Sequence, residues 1–217
     1  MKIRLRKVWK RSLVGLLPLG FLAALLASPP ACAGDAEVQV DAGWLIPGGD
    51  LADDFLATRW GFGADAGLEL GFHWRYRFNE AWSIAPAFRF ADLGDFNGDV
   101  DTPQEYRIQS SSYRYTLEIR RTFRGGSTGL KPFLAVGGGA FRNRFLGWDK
   151  EVLTAVDQSQ STLGLFAHAG FRFKEVELGL VYNRNRFTSW RFFTGDREHE
   201  FDWDTICVRM SWVIPGT

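Results

Sequence analysis

Three histidines, His73, His168 and His199, are the first candidates for chemistry in this sequence. A serine hydrolase needs a histidine base within hydrogen-bond reach of its nucleophile and an acidic residue that orients the ring. Glu69 is four residues from His73, which is about 13 Å along an extended strand and too far for contact. His168 has no serine close by in sequence, and His199 lies within a run of charges at 196–200. The sequence therefore predicts interior polar or solvated loop positions for these histidines rather than catalysis.

An alternating series of oxygen-bearing side chains is a candidate for calcium. Calcium loops use this spacing because alternate residues turn their oxygens toward one cation. The series consists of Asp95, Asn97, Asp99 and Asp101. The match is partial, because Gly98 is two positions early and Tyr106 stands where a bidentate glutamate would sit. A solvated acidic loop is the leading interpretation, calcium is the weaker one, and no cofactor is predicted.

Charged side chains alternate with apolar ones along several segments, most clearly between Phe62 and Phe78, where every even position is apolar. A period of two over this length predicts a long strand with one apolar and one polar face. We predict that the charged and histidine residues of the polar faces point into a common interior and form a charge network. They are Asp65, Glu69, His73, Arg75, Arg77, Arg89, Arg114, Glu118, Arg120, His168, Arg172 and Arg209.

The elements that would position these side chains are strands throughout. The sequence shows no sustained helical periodicity and no apolar run after residue 34 long enough for a membrane helix. Eight strands are predicted at about 36–46, 61–78, 82–93, 106–123, 130–145, 159–173, 176–187 and 201–214. The faces of the fifth strand stay unassigned, because its apolar residues surround Gly137, Gly138 and Gly139 without a clear parity.

The connections alternate between short and long. The links after the second, fourth and sixth strands are short, and those after the odd-numbered strands are each about a dozen polar residues. This alternation is typical of periplasmic turns and extracellular loops in a membrane barrel. It also brings Trp74, Tyr76, Phe78 and Trp82 together as an aromatic girdle at the periplasmic interface.

The first 33 residues have the features of an export signal. Six basic residues precede the apolar stretch Leu13 to Ala27, and Ala31-Cys32-Ala33 supplies a small-residue cleavage site. We predict a signal peptide at 1–33 that is cleaved, with an uncleaved anchor as the alternative. A lipoprotein acylated at Cys32 is disfavoured because Pro29 occupies the position where an aliphatic residue is expected.

Cleavage would leave one domain, residues 34–217, with 20 basic and 25 acidic residues and a net charge of about −5. That charge shows no basic footprint for nucleic acid. Only Cys207 remains, so no intramolecular disulfide is possible, and an exported chain without disulfides needs another source of stability. A closed, hydrogen-bonded barrel is one such source.

Two environments could meet the apolar faces: the core of a soluble sandwich or lipocalin-like barrel, or lipid. Long strands with aromatic residues near their ends favour lipid. The predicted fold is therefore an all-β, eight-stranded, antiparallel up-and-down transmembrane β-barrel. Its interior is just wide enough to be filled by side chains, so pairing of the inward charges predicts a plugged lumen.

Two hairpin regions resemble those of small outer-membrane proteins of the opacity, outer membrane protein A and outer membrane protein W type. They are Arg75 to Asp95 and Leu130 to Ala140. The resemblance implies barrel architecture more firmly than a function. The chain departs from that pattern at its end, where Trp212 is followed by five further residues instead of a terminal aromatic. It also differs from the His-x-Ser-Asn signature of the lipid A deacylases, because the comparable stretch reads Tyr182-Asn183-Arg184-Asn185.

The fourth long loop, Thr188 to Asp204, contains several aromatic residues among charges. They are Trp190, Phe192, Phe193, Phe201 and Trp203. They are interpreted as an upper aromatic girdle, with an exposed contact surface for a partner as the alternative.

Together these observations predict a monomeric outer-membrane protein of a Gram-negative bacterium with a structural or adhesive role. Its expected partners are outer-membrane lipid and lipopolysaccharide, and an extracellular partner could bind the long loops. A narrow channel for small solutes is the alternative, and a lipid A-modifying enzyme is the third.

Overall fold

The computed structural model describes residues 35–52, 64–97, 106–126, 129–149, 154–190 and 198–214. The eight strands, numbered in chain order, are β1 (Ala36–Gly48), β2 (Asp65–Arg77), β3 (Trp82–Asn97), β4 (Tyr106–Thr122), β5 (Lys131–Asp149), β6 (Thr154–Phe173), β7 (Val176–Trp190) and β8 (Glu198–Val213). A 3₁₀ turn, Gly49–Leu51, follows β1. No helix within these ranges is long and apolar enough to cross a membrane. The predicted signal peptide, residues 1–33, lies outside the described residues.

Each strand pairs with its sequence neighbour in antiparallel fashion, and β8 pairs with β1 to close the barrel. The predicted up-and-down topology with eight strands is confirmed. One continuous set of paired residues runs around the wall: Ala36, Tyr76, Ile84, Ile119, Val136, Ala167, Tyr182, Ile206 and Ile46. It returns to β1 ten residues further along (46 − 36), which is the stagger that tilted strands need for closure.

The apolar faces of the strands lie outside the barrel and the polar faces lie inside. Leu70, Val136 and Leu180 expose 54 to 63% of their surfaces, whereas Glu69, His73 and Arg209 are buried. A soluble barrel would bury the apolar face, so the soluble sandwich and lipocalin-like alternatives are wrong. The exterior is built for lipid and the interior holds the charges.

Strand five, whose faces the sequence left unassigned, follows the same rule. Its odd-numbered residues face inward, and Phe133, Phe141 and Phe145 are buried in the lumen. Leu134 and Val136 are exposed on the outside. The parity was ambiguous because three phenylalanines occupy inward positions of this strand, so its two faces differ less in polarity than those of β2 and β4.

The three short connections define one end of the barrel, which we call the turn end; the other is the loop end. Asn79 shapes the β2–β3 turn, since its Oδ1 accepts hydrogen bonds from the backbone N–H groups of Ala81 and Trp82, each at 2.9 Å. Lys174 takes a left-handed conformation, with φ of 52°, in the two-residue β6–β7 turn. The predicted girdle residues Trp74, Tyr76, Phe78 and Trp82 lie at this end on the outer face, as the parity of the turns requires.

At the loop end most strands are longer than the sequence predicted. The hairpin of β5 and β6 extends to Asp149 and Thr154, instead of ending near residues 145 and 159. Three of the links predicted to span about a dozen residues are therefore shorter. Backbone pairing continues into polar sequence beyond the apolar band, where composition alone resembles a loop.

A bulge at the beginning of β2 changes the expected position of Asp65. The pairing with β3 shifts between Asp65 and Leu68, so β2 contains one extra residue there. Neighbouring strand residues point to opposite faces, so one extra residue moves every position before the bulge to the opposite face. Asp65 is therefore exposed rather than inward-facing, and Ala64 is buried instead. The predicted nine-residue apolar alternation thus does not keep one face along its whole length.

Candidate functional site in the barrel interior

The lumen is lined by the side chains that the alternation predicted to be inward, apart from Asp65. Most are buried, while Arg77 and Arg172 at the turn end keep 34% and 18% of their side chains exposed. The buried members are Glu69, His73, Arg75, Arg89, Arg114, Glu118, Arg120, His168 and Arg209. They come from strands on all sides of the barrel and form three groups of ion pairs. The first contains Glu37, Glu177 and Glu118, which Arg75 and Arg120 link together. The second is centred on Asp41 and the third on Glu69.

The group nearest the turn end is organised by Glu37 of β1. Its carboxylate accepts hydrogen bonds from Arg75 at 3.0 Å, Arg77 at 2.6 Å and Arg172 at 2.6 and 3.0 Å. Gln39 donates to Glu37 as well, at 2.7 Å. Strands β1, β2 and β6 are thereby joined at this end of the lumen.

Glu177 of β7 accepts bonds from two arginines on other strands. Arg75 of β2 donates to both carboxylate oxygens, and Arg120 of β4 donates Nη1–H to Oε2 at 2.6 Å. The Arg120 guanidinium also lies 3.8 Å from the centre of the Phe133 ring, a cation–π contact. Because β4 and β7 are not neighbours in the wall, the Arg120–Glu177 pair crosses the lumen.

His168 and His73 each lie against a buried carboxylate. His168 Nδ1 is 3.1 Å from Glu118, which also accepts from Arg120 at 2.9 Å. His73 Nδ1 is 3.1 Å from both oxygens of Asp41. Both histidines are thus members of the interior network.

Asp41 and Glu69 organise the middle of the lumen. Arg89 donates to Asp41 at 2.9 Å and to the Thr116 hydroxyl at 3.0 Å. Glu69 accepts from Arg114 at 2.8 Å and from Arg209 at 2.6 and 2.9 Å. These bonds tie β2 to β4 and β8, and β1 to β3.

Three of the five carboxylates that organise the network were missed from sequence: Glu37, Asp41 and Glu177. The alternation that identifies Glu69 also runs along β1, where Val38 and Val40 separate Glu37, Gln39 and Asp41. In β7, the outward position of Val176 implies that the next residue, Glu177, faces inward. Applied to β1 and β7, the same criterion would have found all three.

Above the charges, the loop end of the lumen is filled by apolar side chains. Leu45, Leu93, Phe145, Phe201 and Trp203 are buried in one cluster there. The 3₁₀ turn after β1 adds Leu51, which is fully buried. Asp50 fixes this turn to β8, since its Oδ2 accepts the Asp202 backbone N–H at 2.8 Å. The lumen is thus occupied by two successive layers, one ionic and one apolar.

Phe201 and Trp203 correct the interpretation of the fourth loop. Both belong to β8 and face the interior, so they form neither an upper girdle nor an exposed contact surface. The side chain of Trp190, and residues Phe192 and Phe193, lie outside the described part of the structure, so the interpretation is not tested for them.

The structure describes little of the calcium candidates and of His199. Asp95 and Asn97 belong to β3, and His199 belongs to β8, but their side chains are not described; Asp99 and Asp101 are outside the described ranges. In the parts of the chain that are described, no group of three or more His, Cys, Asp or Glu residues could hold a metal ion.

No protein-family model and no curated protein matches the chain. Among solved structures, the attachment invasion locus protein Ail of Yersinia pestis is similar, with a TM-score of 0.50 and 13% identity over 84% of this chain and 100% of Ail. Neisserial surface protein A has 14% identity and a TM-score of 0.45 over 83% of this chain and 99% of its own. The N-terminal β-barrel domain of Pseudomonas aeruginosa OprF has 10% identity and a TM-score of 0.44, over 83% and 99%.

At these identities the likeness is one of fold. It agrees with the resemblance of the hairpin sequences to small outer-membrane proteins, and with a wall that is apolar outside and charged inside. The chain therefore has the fold of the small eight-stranded outer-membrane β-barrels.

Proposed function

We propose that this chain is an outer-membrane barrel whose lumen is closed to solutes and whose role is structural or adhesive, exercised through its loop end. The observation that carries the proposal is the set of ion pairs joining strands across the lumen. Arg120–Glu177, Arg114–Glu69 and Arg172–Glu37 each connect strands that are not neighbours. Side chains that meet in the middle of a narrow barrel leave little room for a solute.

The energetics of buried charges support a lumen that stays closed. Opening it would separate carboxylates and guanidinium groups that are almost fully buried, and an uncompensated buried charge costs several kcal/mol. Glu69 and Asp41 have no exposed surface, and both bind arginines. The apolar layer around Leu51 and Trp203 provides a second barrier at the loop end.

A rigid, filled barrel leaves recognition to the segments that connect its strands. The long connections emerge at the loop end, which corresponds to the cell exterior in bacterial barrels whose termini lie in the periplasm. The similar protein from Yersinia pestis carries attachment and invasion in its name, which makes adhesion a reasonable class to test first. The interior offers little for hydrolysis at His73, because the ring nitrogen that would face a nucleophile, Nε2, lies 3.0 Å from the Arg75 guanidinium instead.

Localisation and adhesion can be tested together in a non-adherent laboratory bacterium that expresses the chain. We expect the protein in the outer-membrane fraction, extractable only with detergent, with a gel mobility that changes on boiling. Its expression should increase attachment of the bacterium to cultured epithelial cells.

The comparison is with a variant in which residues 53–60 and 98–105 are replaced by short Gly-Ser linkers. It should keep the heat-dependent mobility but lose attachment. Protein found in the periplasm without detergent would contradict the localisation. If the wild type and the loop-replaced variant gave equal attachment, or if neither increased it, adhesion through these loops would be rejected and the structural role would remain.

A further inference from the structure

Four arginines on the outer face flank β6 at the loop end of the barrel. Arg142 and Arg144 lie on β5, on the same face as Leu134 and Val136. Arg184 and Arg186 lie on β7, on the face of Leu178, Leu180 and Tyr182. We call these four residues the arginine patch. They face away from the lumen and take no part in its network.

Two members of the patch have no ion-pair partner among the described residues. Arg144 pairs with Asp157 at 2.9 Å, and Arg186 lies 3.4 Å from Glu200 and 3.5 Å from Asp202. Arg142 and Arg184 form no ion pair with any residue that the structure describes. Asp204, directly opposite Arg184 in the register, instead accepts a hydrogen bond from the Tyr182 hydroxyl at 2.6 Å.

The patch lies where the apolar exterior ends. Arg142 is paired in register with Tyr113, and Arg184 is two residues beyond Tyr182, so the first lies beside an aromatic residue of the outer face and the second lies just beyond one. Aromatic residues at this position mark the boundary between hydrocarbon and headgroups. Between the two arginine-bearing strands, β6 presents Leu163 and Leu165, which are 84% and 71% exposed.

We propose that the arginine patch binds the phosphate groups of lipid A in the outer leaflet, with Leu163 and Leu165 contacting its acyl chains. Guanidinium groups pair with phosphate by charge-assisted hydrogen bonds, and unpaired cations at headgroup depth attract anionic lipid. The combination of exposed leucines with free arginines matches a lipid that carries both acyl chains and phosphate. The inference rests on the proposed function, because it requires the loop end to lie in the outer leaflet.

The test compares the folded barrel in phosphatidylcholine vesicles with and without lipid A. The temperature at which the folded band converts to the unfolded band on gels measures stability. Because a ligand that binds only the folded state stabilises it, we expect lipid A to raise this temperature by about 5 °C for the wild type. The R142Q/R184Q variant should lose at least half of the rise, and R142K/R184K should keep most of it.

Ser161→Gln is the matched control. Ser161 is exposed on β6 directly opposite Arg142, so this variant adds an amide to the same surface without removing charge. It should respond to lipid A like the wild type. Dephosphorylated lipid A should give the wild type no rise, and free inorganic phosphate with phosphatidylcholine vesicles should give none.

An equal rise for R142Q/R184Q and the wild type would overturn the inference, as would an equal rise with dephosphorylated lipid A. A rise with inorganic phosphate alone would reject lipid A as the source of the phosphate. If the arginine variants fail to fold, the dephosphorylated lipid still tests the inference on the wild type. A wild type that does not insert into any vesicle would instead contradict the proposed function.

Discussion

Arg120 on β4 and Glu177 on β7 meet across the lumen, with the Arg120 Nη1 2.6 Å from the Glu177 Oε2. The same carboxylate also pairs with Arg75 of β2. One side chain therefore joins three strands from different sides of the barrel. Such a bond resists any widening of the lumen, which makes Glu177 the most informative position for testing how the barrel is closed.

Glu177→Gln should destabilise the barrel by about 3–5 kcal/mol, because it leaves the buried guanidinium groups of Arg75 and Arg120 without their full charge compensation. Urea unfolding in vesicles, followed by tryptophan fluorescence, measures the change. Arg144→Gln breaks the exposed pair with Asp157 and should cost less than about 1 kcal/mol. Equal losses of unfolding free energy in the two variants would show that the interior pairs contribute no more to stability than an exposed pair.

Leu180 tests the outward assignment of the apolar face. It lies within β7, exposes 54% of its surface, and is expected to contact lipid. Leu180→Arg should cost about 2–4 kcal/mol in a bilayer, because a charge near the hydrocarbon midplane is poorly solvated. Ser159→Arg, exposed on β6 at the loop end, should cost about 0–1 kcal/mol in the same vesicles. A tolerated Leu180→Arg would mean that this surface does not face lipid.

Gly179 is required by the close approach of His168 to the wall. A β-carbon at position 179 would lie 2.5 Å from the His168 Nε2 and 2.9 Å from the Ala169 carbonyl oxygen. Gly179→Val should therefore destabilise the fold by about 1–3 kcal/mol through overpacking. In contrast, a β-carbon at Gly126 meets no atom within 4 Å, so Gly126→Val controls for the substitution itself. The midpoint of urea unfolding distinguishes the two, and similar shifts would argue against tight packing around His168.

Cys207 reports on access to the lumen. Its side chain is fully buried, and its Sγ lies 3.7 Å from Glu69 Oε1. In the folded barrel it should react with a water-soluble maleimide about 100-fold more slowly than in the unfolded chain, because labelling requires local opening. Leu51→Ala should accelerate labelling by removing part of the apolar layer above it. Leu68→Ala, on the exposed outer face, should not. Fast labelling of the folded wild type would contradict a filled lumen.

The sequence predicted the strands and most side-chain faces because a barrel wall imposes a period of two on every strand. Pairing turns this local pattern into topology: the positions of Phe78 and Trp82 on one face already required the three-residue link between them. The interior position of Arg114 and Arg209 followed from the same alternation, without knowledge of their partners.

The sequence predictions that were wrong have local physical causes. A bulge in β2 is invisible in an uninterrupted alternation, so Asp65 was placed on the wrong face. The interior phenylalanines of β5 mask its polarity. Phe201 and Trp203 were assigned to a loop because charges surround them, although β8 already begins at Glu198. The partners of each charge depend on which strands face each other across the lumen, and the strand stagger that decides this is a property of the closed barrel.

The central claim, that the ionic layer closes the lumen, is tested most directly by single-channel recording of the purified barrel in planar bilayers. We predict no reproducible conductance steps for the folded wild type, because the ionic layer and the apolar layer both occupy the lumen. Regular open steps from the folded wild-type protein would contradict the closed lumen and favour the narrow channel.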